Sequence, residues 1–205
     1  MAKGNPDKDF YFTIEKEAMA EFKDRGSRFI AFAFPIAAAD DFKKRLKELK
    51  EVHPKAAHHC FAYRIGTDGN KFRSSDDGEP SGSAGRPILG QIDSKGLTNI
   101  SVIVVRYFGG TLLGVPGLIN AYKTATSFAL QLSPAVKKPV LAFFRLQFDY
   151  TGMNDVMRIL KKHNCQVAQQ QIQLFCELEV GIPKTRLALC LLQLQQLRGV
   201  EIVAL

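Results

Sequence analysis

From Ile100 to Phe108 the chain reads ISVIVVRYF, an almost unbroken apolar run of strand length. A strand with one wet face alternates polar and apolar residues, whereas one that does not alternate is covered on both faces. This segment therefore predicts the inside of a sheet. The next residues narrow the choice further. Gly109, Gly110, Thr111, Gly114, Val115, Pro116 and Gly117 lead into a stretch where Leu118, Ala121, Tyr122, Ala125, Phe128, Ala129 and Leu132 recur at spacings of three and four. That is one buried helical stripe, and Pro116 suits the first helical position, where a missing N–H removes no bond. A buried strand that feeds such a helix through a glycine-rich connection belongs to an α/β layer.

The same reading extends in both directions. Residues 9–17 and 27–35 look like strands, and Asp40 or Asp41 can cap a helix running to about Glu51. His58–Ile65 is a further strand, residues 69–74 pair back on it through Thr67-Asp68-Gly69-Asn70, and a short helix covers 83–94. Between Ser133 and Pro139 two prolines and two lysines interrupt every pattern, which marks a domain boundary. Beyond it the order is strand 140–149, helix 152–163, strand 165–172, strand 173–181, helix 184–197 and strand 199–204. Met153, Val156, Met157 and Leu160 form the inner face of the first helix; Leu187, Cys190, Leu191, Leu194 and Leu197 form that of the second. The glutamines of 166–173 read as solvated surface. The expectation is an α+β chain of two domains, 1–135 and 140–205, the second a split βαβ, ferredoxin-like module.

Composition excludes several classes. Apolar content of 46% with 23% charged residues is ordinary for a soluble globular protein, and no apolar run approaches the ~20 residues of a membrane helix. The N-terminus, MAKGNPDKDF, has no apolar signal region. Cys60, Cys165, Cys176 and Cys190 lack CxxC spacing and sit in apolar patterns, as free thiols do in a reducing compartment, so a cytoplasmic protein is expected. A net charge of +8 favours polyanionic partners, although Lys43, Lys44, Arg45, Lys47 and Lys50 fit the solvated face of an amphipathic helix as well as a phosphate-contacting one.

Three clusters carry candidate chemistry. Asp76, Asp77 and Glu79 suit a hard cation or acid–base work, but Asp-Asp-Gly-Glu-Pro is equally what a tight turn needs. His58, His59 and Cys60 alternate faces of a strand, so they cannot share one metal, and no third group completes a nucleophile. The connection from Arg106 through Gly109, Gly110, Thr111, Gly114 and Gly117 opens a helix, where free N–H groups and the helix dipole suit an anion; Arg106 and Lys123 would add charge. Its spacing matches neither GxGxxG nor GxxxxGK[ST], and these glycines equally permit close packing. No metal site and no cofactor are implied.

On these residues the chain resembles the YigZ/IMPACT family. The matching segments are Ser75–Pro80, Gly82–Pro87, Val104–Gly110, Leu113-Gly114, Gly117-Leu118 and Ala121-Tyr122, with Ser27–Ile30 and His53–Cys60 upstream. Val115-Pro116 departs from the Gly- or Thr-rich loop of many members. The resemblance implies a first domain similar to the second domain of ribosomal protein S5 and a second similar to the ferredoxin-like C-terminal domain of elongation factor G. It also implies kinship with eukaryotic regulators of translation initiation, which carry a different protein-binding domain. The expected function is a non-enzymatic, translation-associated regulator that binds RNA or a ribosome-associated surface. An enzyme acting on a phosphorylated or acidic small molecule at the same loops, and a protein-interaction module, are the alternatives.

Overall fold

The apolar run forms β6 (Ile100–Tyr107) at the centre of a five-stranded sheet, as its composition requires. The structure, a computed structural model, describes residues 9–205 and divides into two compact units that meet between Lys138 and Pro139. In the first unit β1 (Phe10–Ile14), β2 (Ala18–Asp24), β3 (Ser27–Pro35), α1 (Ala39–Val52), β4 (His58–Ile65), β5 (Lys71–Ser75) and α2 (Gly85–Ser94) precede β6. After it come α3 (Gly114–Leu132) and β7 (Ala135–Pro139). The sheet order is β2-β3-β6-β4-β5, every neighbouring pair antiparallel, while β1 and β7 form a separate two-stranded ribbon.

Both faces of this sheet are covered. Val102, Val104, Ala31, Ala33, Cys60 and Ala62 pack under Ile88 and Ile92 of α2 and Leu118, Tyr122 and Ala125 of α3. Ile103, Phe34 and Phe61 pack under Phe42 and Leu49 of α1 on the other side. Successive residues of β6 therefore serve different cores, which is why the strand shows no alternation. Each fully buried large apolar side chain contributes roughly 1.5–3 kcal/mol of burial, so the two layers dominate the stability of the unit. On α1 the basic residues pair locally, Lys43 with Asp40 at 2.8 Å and Arg45 with Glu48 at 3.1 Å, as a solvated helix face does.

The second unit runs β8 (Leu141–Asp149), α4 (Met153–Lys162), β9 (Gln166–Gln171), β10 (Phe175–Pro183), α5 (Leu187–Gln195) and β11 (Glu201–Ala204). Its sheet order is β11-β8-β10-β9, all antiparallel. Leu146, Phe148, Leu178 and Val180 meet Val156 and Leu160 of α4 and Cys190 and Leu194 of α5. All six residues of the glutamine-rich strand β9 are exposed.

The structure corrects several boundaries. The strand expected over 9–17 is the shorter β1, and β2 follows after three residues, forming the edge of the main sheet. Ala135–Pro139 is a strand rather than a bare linker. Helix α3 begins at Gly114, so Pro116 is its third residue rather than its first; the first four N–H groups lack helical partners, so the proline is harmless there too. Phe128 and Leu132 are 42% and 65% exposed, because the buried stripe drifts to Thr126 and Leu130 over five turns. On α4 the inner position expected for Met157 is taken by Ile159. Among the described residues no helix is long and apolar enough to cross a membrane.

Candidate binding site at the head of the central strand

Strand register assembles the site. Phe29 pairs with Arg106 and Arg106 with His58, so the three lie in one row across β3, β6 and β4. Arg106 follows Val102 and Val104 on the face under α3, where a charge is costly unless compensated. It is only 5% exposed. Its Nη1 donates to Glu79 Oε1 at 2.7 Å, and the hydroxyl of Tyr122 on α3 donates to the same oxygen at 2.7 Å. The guanidinium lies over the Phe29 ring, 5.3 Å from its centre, and over that of Phe108, at 5.6 Å. Nη2 reaches Ser27 Oγ at 3.4 Å, while Nε is buried without a partner among the described residues. His58 Nδ1 donates to the Asp77 carbonyl at 2.8 Å, which sets Nε2 3.9 Å from Glu79 Oε1.

The three acidic residues of the turn go separate ways. Asp76 accepts from the N–H of Gly82 at 2.9 Å, Ala84 at 3.0 Å and Gly85 at 2.8 Å, so it caps the start of α2 from a distance. Burial alone would raise its carboxyl, but those backbone bonds and the Arg86 charge outweigh burial and hold it below the ordinary value. Asp77 has φ 43° and accepts from the His59 N–H at 2.7 Å. Only Glu79 faces Arg106. Carboxylates that point in three directions do not form a cation site, and no group of three metal-ligating side chains gathers among the described residues. Cys60 is fully buried, its thiol held between the Asp76 carbonyl at 3.0 Å and the Tyr122 hydroxyl at 3.2 Å. Burial pushes its thiol up, and burial together with Cys60 and Glu79 pushes the Tyr122 phenol up, so neither is poised as a nucleophile or base.

The glycine connection is shaped mainly by packing. A methyl group on Gly109 would lie 1.9 Å from the Gly26 carbonyl carbon, so β3 and the loop touch backbone to backbone here. Gly110 has φ 85° in the turn, with no neighbour within 4 Å of a side-chain position. Thr111 is exposed, Gly114 is the first residue of α3, and Gly117 packs beside Leu113 and Arg25. Lys123 is exposed on α3, nine residues past the helix start and therefore about 13 Å along the axis. It does not join the loop.

These elements enclose a cavity of about 490 Å³. Glu79, Arg106 and His58 contribute to its lining, and Pro80, Leu113 and Leu118 make apolar walls. Phe108, Leu112 and Val115, also part of the lining, are 51%, 82% and 45% exposed. The first turn of α3 adds no acidic side chain and has no side-chain cap. The site is thus an apolar recess around an internally neutralised ion pair. The charge of Arg106 is already matched by Glu79 before any ligand arrives. Residue pattern points to Arg106, Glu79 and the loop but not to Phe29, Ser27 or Tyr122 as members of the site. The signal for Tyr122 is its place in a buried helical stripe, since a buried phenol needs a partner for its hydroxyl.

Comparison with known proteins agrees with the sequence segments that resemble the family. Residues 25–130 match the model of the Impact N-terminal domain. An IMPACT family member from Haemophilus influenzae is 34% identical over 174 residues, covering 84% of each chain. The IMPACT family member YigZ of Escherichia coli is 34% identical over 164 residues, covering 79% of this chain and 80% of its own. A crystal structure described as a hypothetical protein superposes with a TM-score of 0.76 at 28% identity, over 97% of this chain and 98% of that one. The chain belongs to the IMPACT family.

Proposed function

We propose that this protein is a non-enzymatic regulator of translation whose first unit docks a ribosome-associated protein surface at the cavity beside Arg106. One observation carries the reading: at the cavity floor Glu79 is held by both Arg106 and Tyr122, while the rim exposes Phe108, Leu112 and Val115 together. Exposed apolar side chains around a recess mark a binding surface, and the buried Cys60 and Tyr122 beside it are not poised for chemistry. The translational class rests on the family resemblance, which implies kinship with eukaryotic regulators of translation initiation. The strand order β11-β8-β10-β9 supports a ferredoxin-like assignment for the second unit. Likeness of the first unit to the second domain of ribosomal protein S5 is part of the same proposal, as is a cytoplasmic setting.

Co-sedimentation of the full chain with purified bacterial ribosomes tests this. The wild type is expected in the ribosomal pellet, and Leu112→Ser, at an 82% exposed position, is expected to fold normally and lose most of the pelleted fraction. A wild type that stays in the supernatant overturns the partner; a Leu112→Ser variant that pellets normally overturns the site. RNA is the second reading, favoured by the net charge of +8. It predicts binding that falls steeply as salt rises, whereas apolar docking is nearly indifferent to salt.

A further inference from the structure

Cys165 lies just past α4, in the turn where Asn164 takes φ 54°, and its sulfur is 3.6 Å from that of Cys190 on α5. The approach is held by two bonds besides the thiols. Cys165 N–H donates to the Leu160 carbonyl at 2.9 Å, and His163, two residues earlier, joins Gln193, one helical turn after Cys190, at 3.0 Å. The two sulfurs differ in access: Cys190 is fully buried and Cys165 is half-buried. The remaining cysteines are placed otherwise. Cys60 is enclosed by Tyr122 and the Asp76 carbonyl, and Cys176 is 1% exposed with its thiol donated to the Gln173 carbonyl. Among the described residues, Cys165 and Cys190 alone have thiols within hydrogen-bonding reach of each other.

We propose that Cys165 and Cys190 are an oxidative modification site, closing to a reversible disulfide when the protein meets hydrogen peroxide. Cys165 is the sulfur the oxidant reaches. Cys165 gives up its proton to solvent and its thiolate attacks one peroxide oxygen; the O–O bond breaks, Cys165 becomes a sulfenic acid, and the departing hydroxide is protonated to water. Cys190 then attacks the Cys165 sulfur; the S–S bond forms, the S–O bond breaks, and the departing hydroxide takes the Cys190 proton as water. Two thiols and one peroxide thus give one disulfide and two waters. The sulfurs need to close by about 1.5 Å to reach bonding distance, within the range of a χ1 rotation at half-buried Cys165. The bond would staple the α4–β9 turn to α5 across a separation of 25 residues. Cross-linking a loop of that size removes conformations from the unfolded chain and raises the melting temperature of the second unit.

Peroxide treatment of the full chain, followed by thiol counting and peptide mapping with fragmentation, is the test. Free thiols are expected to fall from four to two, with a single cross-link between the peptides carrying Cys165 and Cys190. Dithiothreitol restores all four, and the oxidised protein melts about 10 °C higher in its second unit. Cys165→Ser, a change at a half-buried position, should abolish the cross-link and leave Cys190 unreacted. Cys190→Ala should halt at a Cys165 sulfenic acid that dimedone captures. The proposal fails if Cys165 is over-oxidised without a cross-link, if Cys165→Ser loses thiols as fast as the wild type, or if Cys60 or Cys176 reacts first.

Discussion

Glu79→Gln separates the structural from the chemical role of the acidic turn. The side chains of Arg106 and Glu79 are 6% and 3% exposed, joined by a 2.7 Å bond, and the guanidinium lies over the Phe29 and Phe108 rings. Glutamine keeps the shape and one acceptor oxygen for Tyr122 and Arg106, but it removes the counter-charge. Arg106 then stays buried with its charge uncompensated, and breaking a buried pair in this way costs about 3–5 kcal/mol. In a unit of this size a kcal/mol moves the melting temperature by about 3–5 °C, so a fall of about 9–25 °C is expected. The chain has no tryptophan, which makes near-ultraviolet circular dichroism of buried Tyr122 the local probe and far-ultraviolet dichroism the global one. The double variant Glu79→Leu/Arg106→Met provides the control, since apolar replacement of both partners should restore much of the loss. A Glu79→Gln protein within about 0.5 kcal/mol of wild type, the range of ordinary surface changes, would refute the reasoning.

Other changes discriminate further. Arg106→Ala should destabilise by about 3 kcal/mol or more by leaving Glu79 buried and unpaired, and urea titration reads this directly. Gly109→Ala should prevent folding of the first unit, because the methyl overlaps Gly26 backbone, whereas Gly110→Ala should cost only about 1–2 kcal/mol for its positive φ; soluble yield and melting temperature distinguish them. Asp77→Asn should cost less than about 1 kcal/mol, since asparagine tolerates φ 43° and still accepts from His59, and thermal melts check it. The folded Asp76 carboxyl lies below its ordinary 3.8, so its contribution is whole above that value and disappears as pH falls beneath it. Asp76→Asn should therefore flatten the acid limb of stability below about pH 4 in an acid-denaturation series. Residues 139–205 alone should give a cooperative melt, because the core of the second unit is drawn from its own strands and helices.

How much of this is legible in the residues depends on which force shapes each segment. The helices and central strands are readable because their apolar spacing matches a period, and Leu187, Cys190, Leu191, Leu194 and Leu197 all pack where the period puts them. Two peripheral strands, β2 and β7, are not. In β2, Ala-Met-Ala-Glu-Phe is rich in helix formers, and its weak alternation becomes a strand only because β3 offers a partner edge. β7 carries a proline that a central strand would reject but a two-stranded ribbon accepts. The site is legible in its members and not in their contacts. Arg106 and Glu79 are 27 residues apart, and nothing in their spacing announces that one neutralises the other.

That pairing decides where binding should be sought. An arginine at the end of a buried strand, beside a glycine-rich helix start, reads as a phosphate contact until its counter-charge is found. With Glu79 on its Nη1, the Phe29 and Phe108 rings close by and Tyr122 closing the carboxylate, the guanidinium charge is already matched, and a phosphate that took Nη1 would displace a bond already made. A ligand that took Arg106 would have to offset the exposure of an unpaired Glu79, which is unfavourable in a low-dielectric recess. The most exposed side chains of the lining are at the rim, and they are apolar: Phe108, Leu112 and Val115. The ion pair is therefore better understood as holding the acidic turn, β6 and α3 in register, so that the rim keeps its shape. A variant that weakens the pair should then lose partner binding only as far as it loses folded protein, whereas a rim variant should lose binding while the melt stays unchanged.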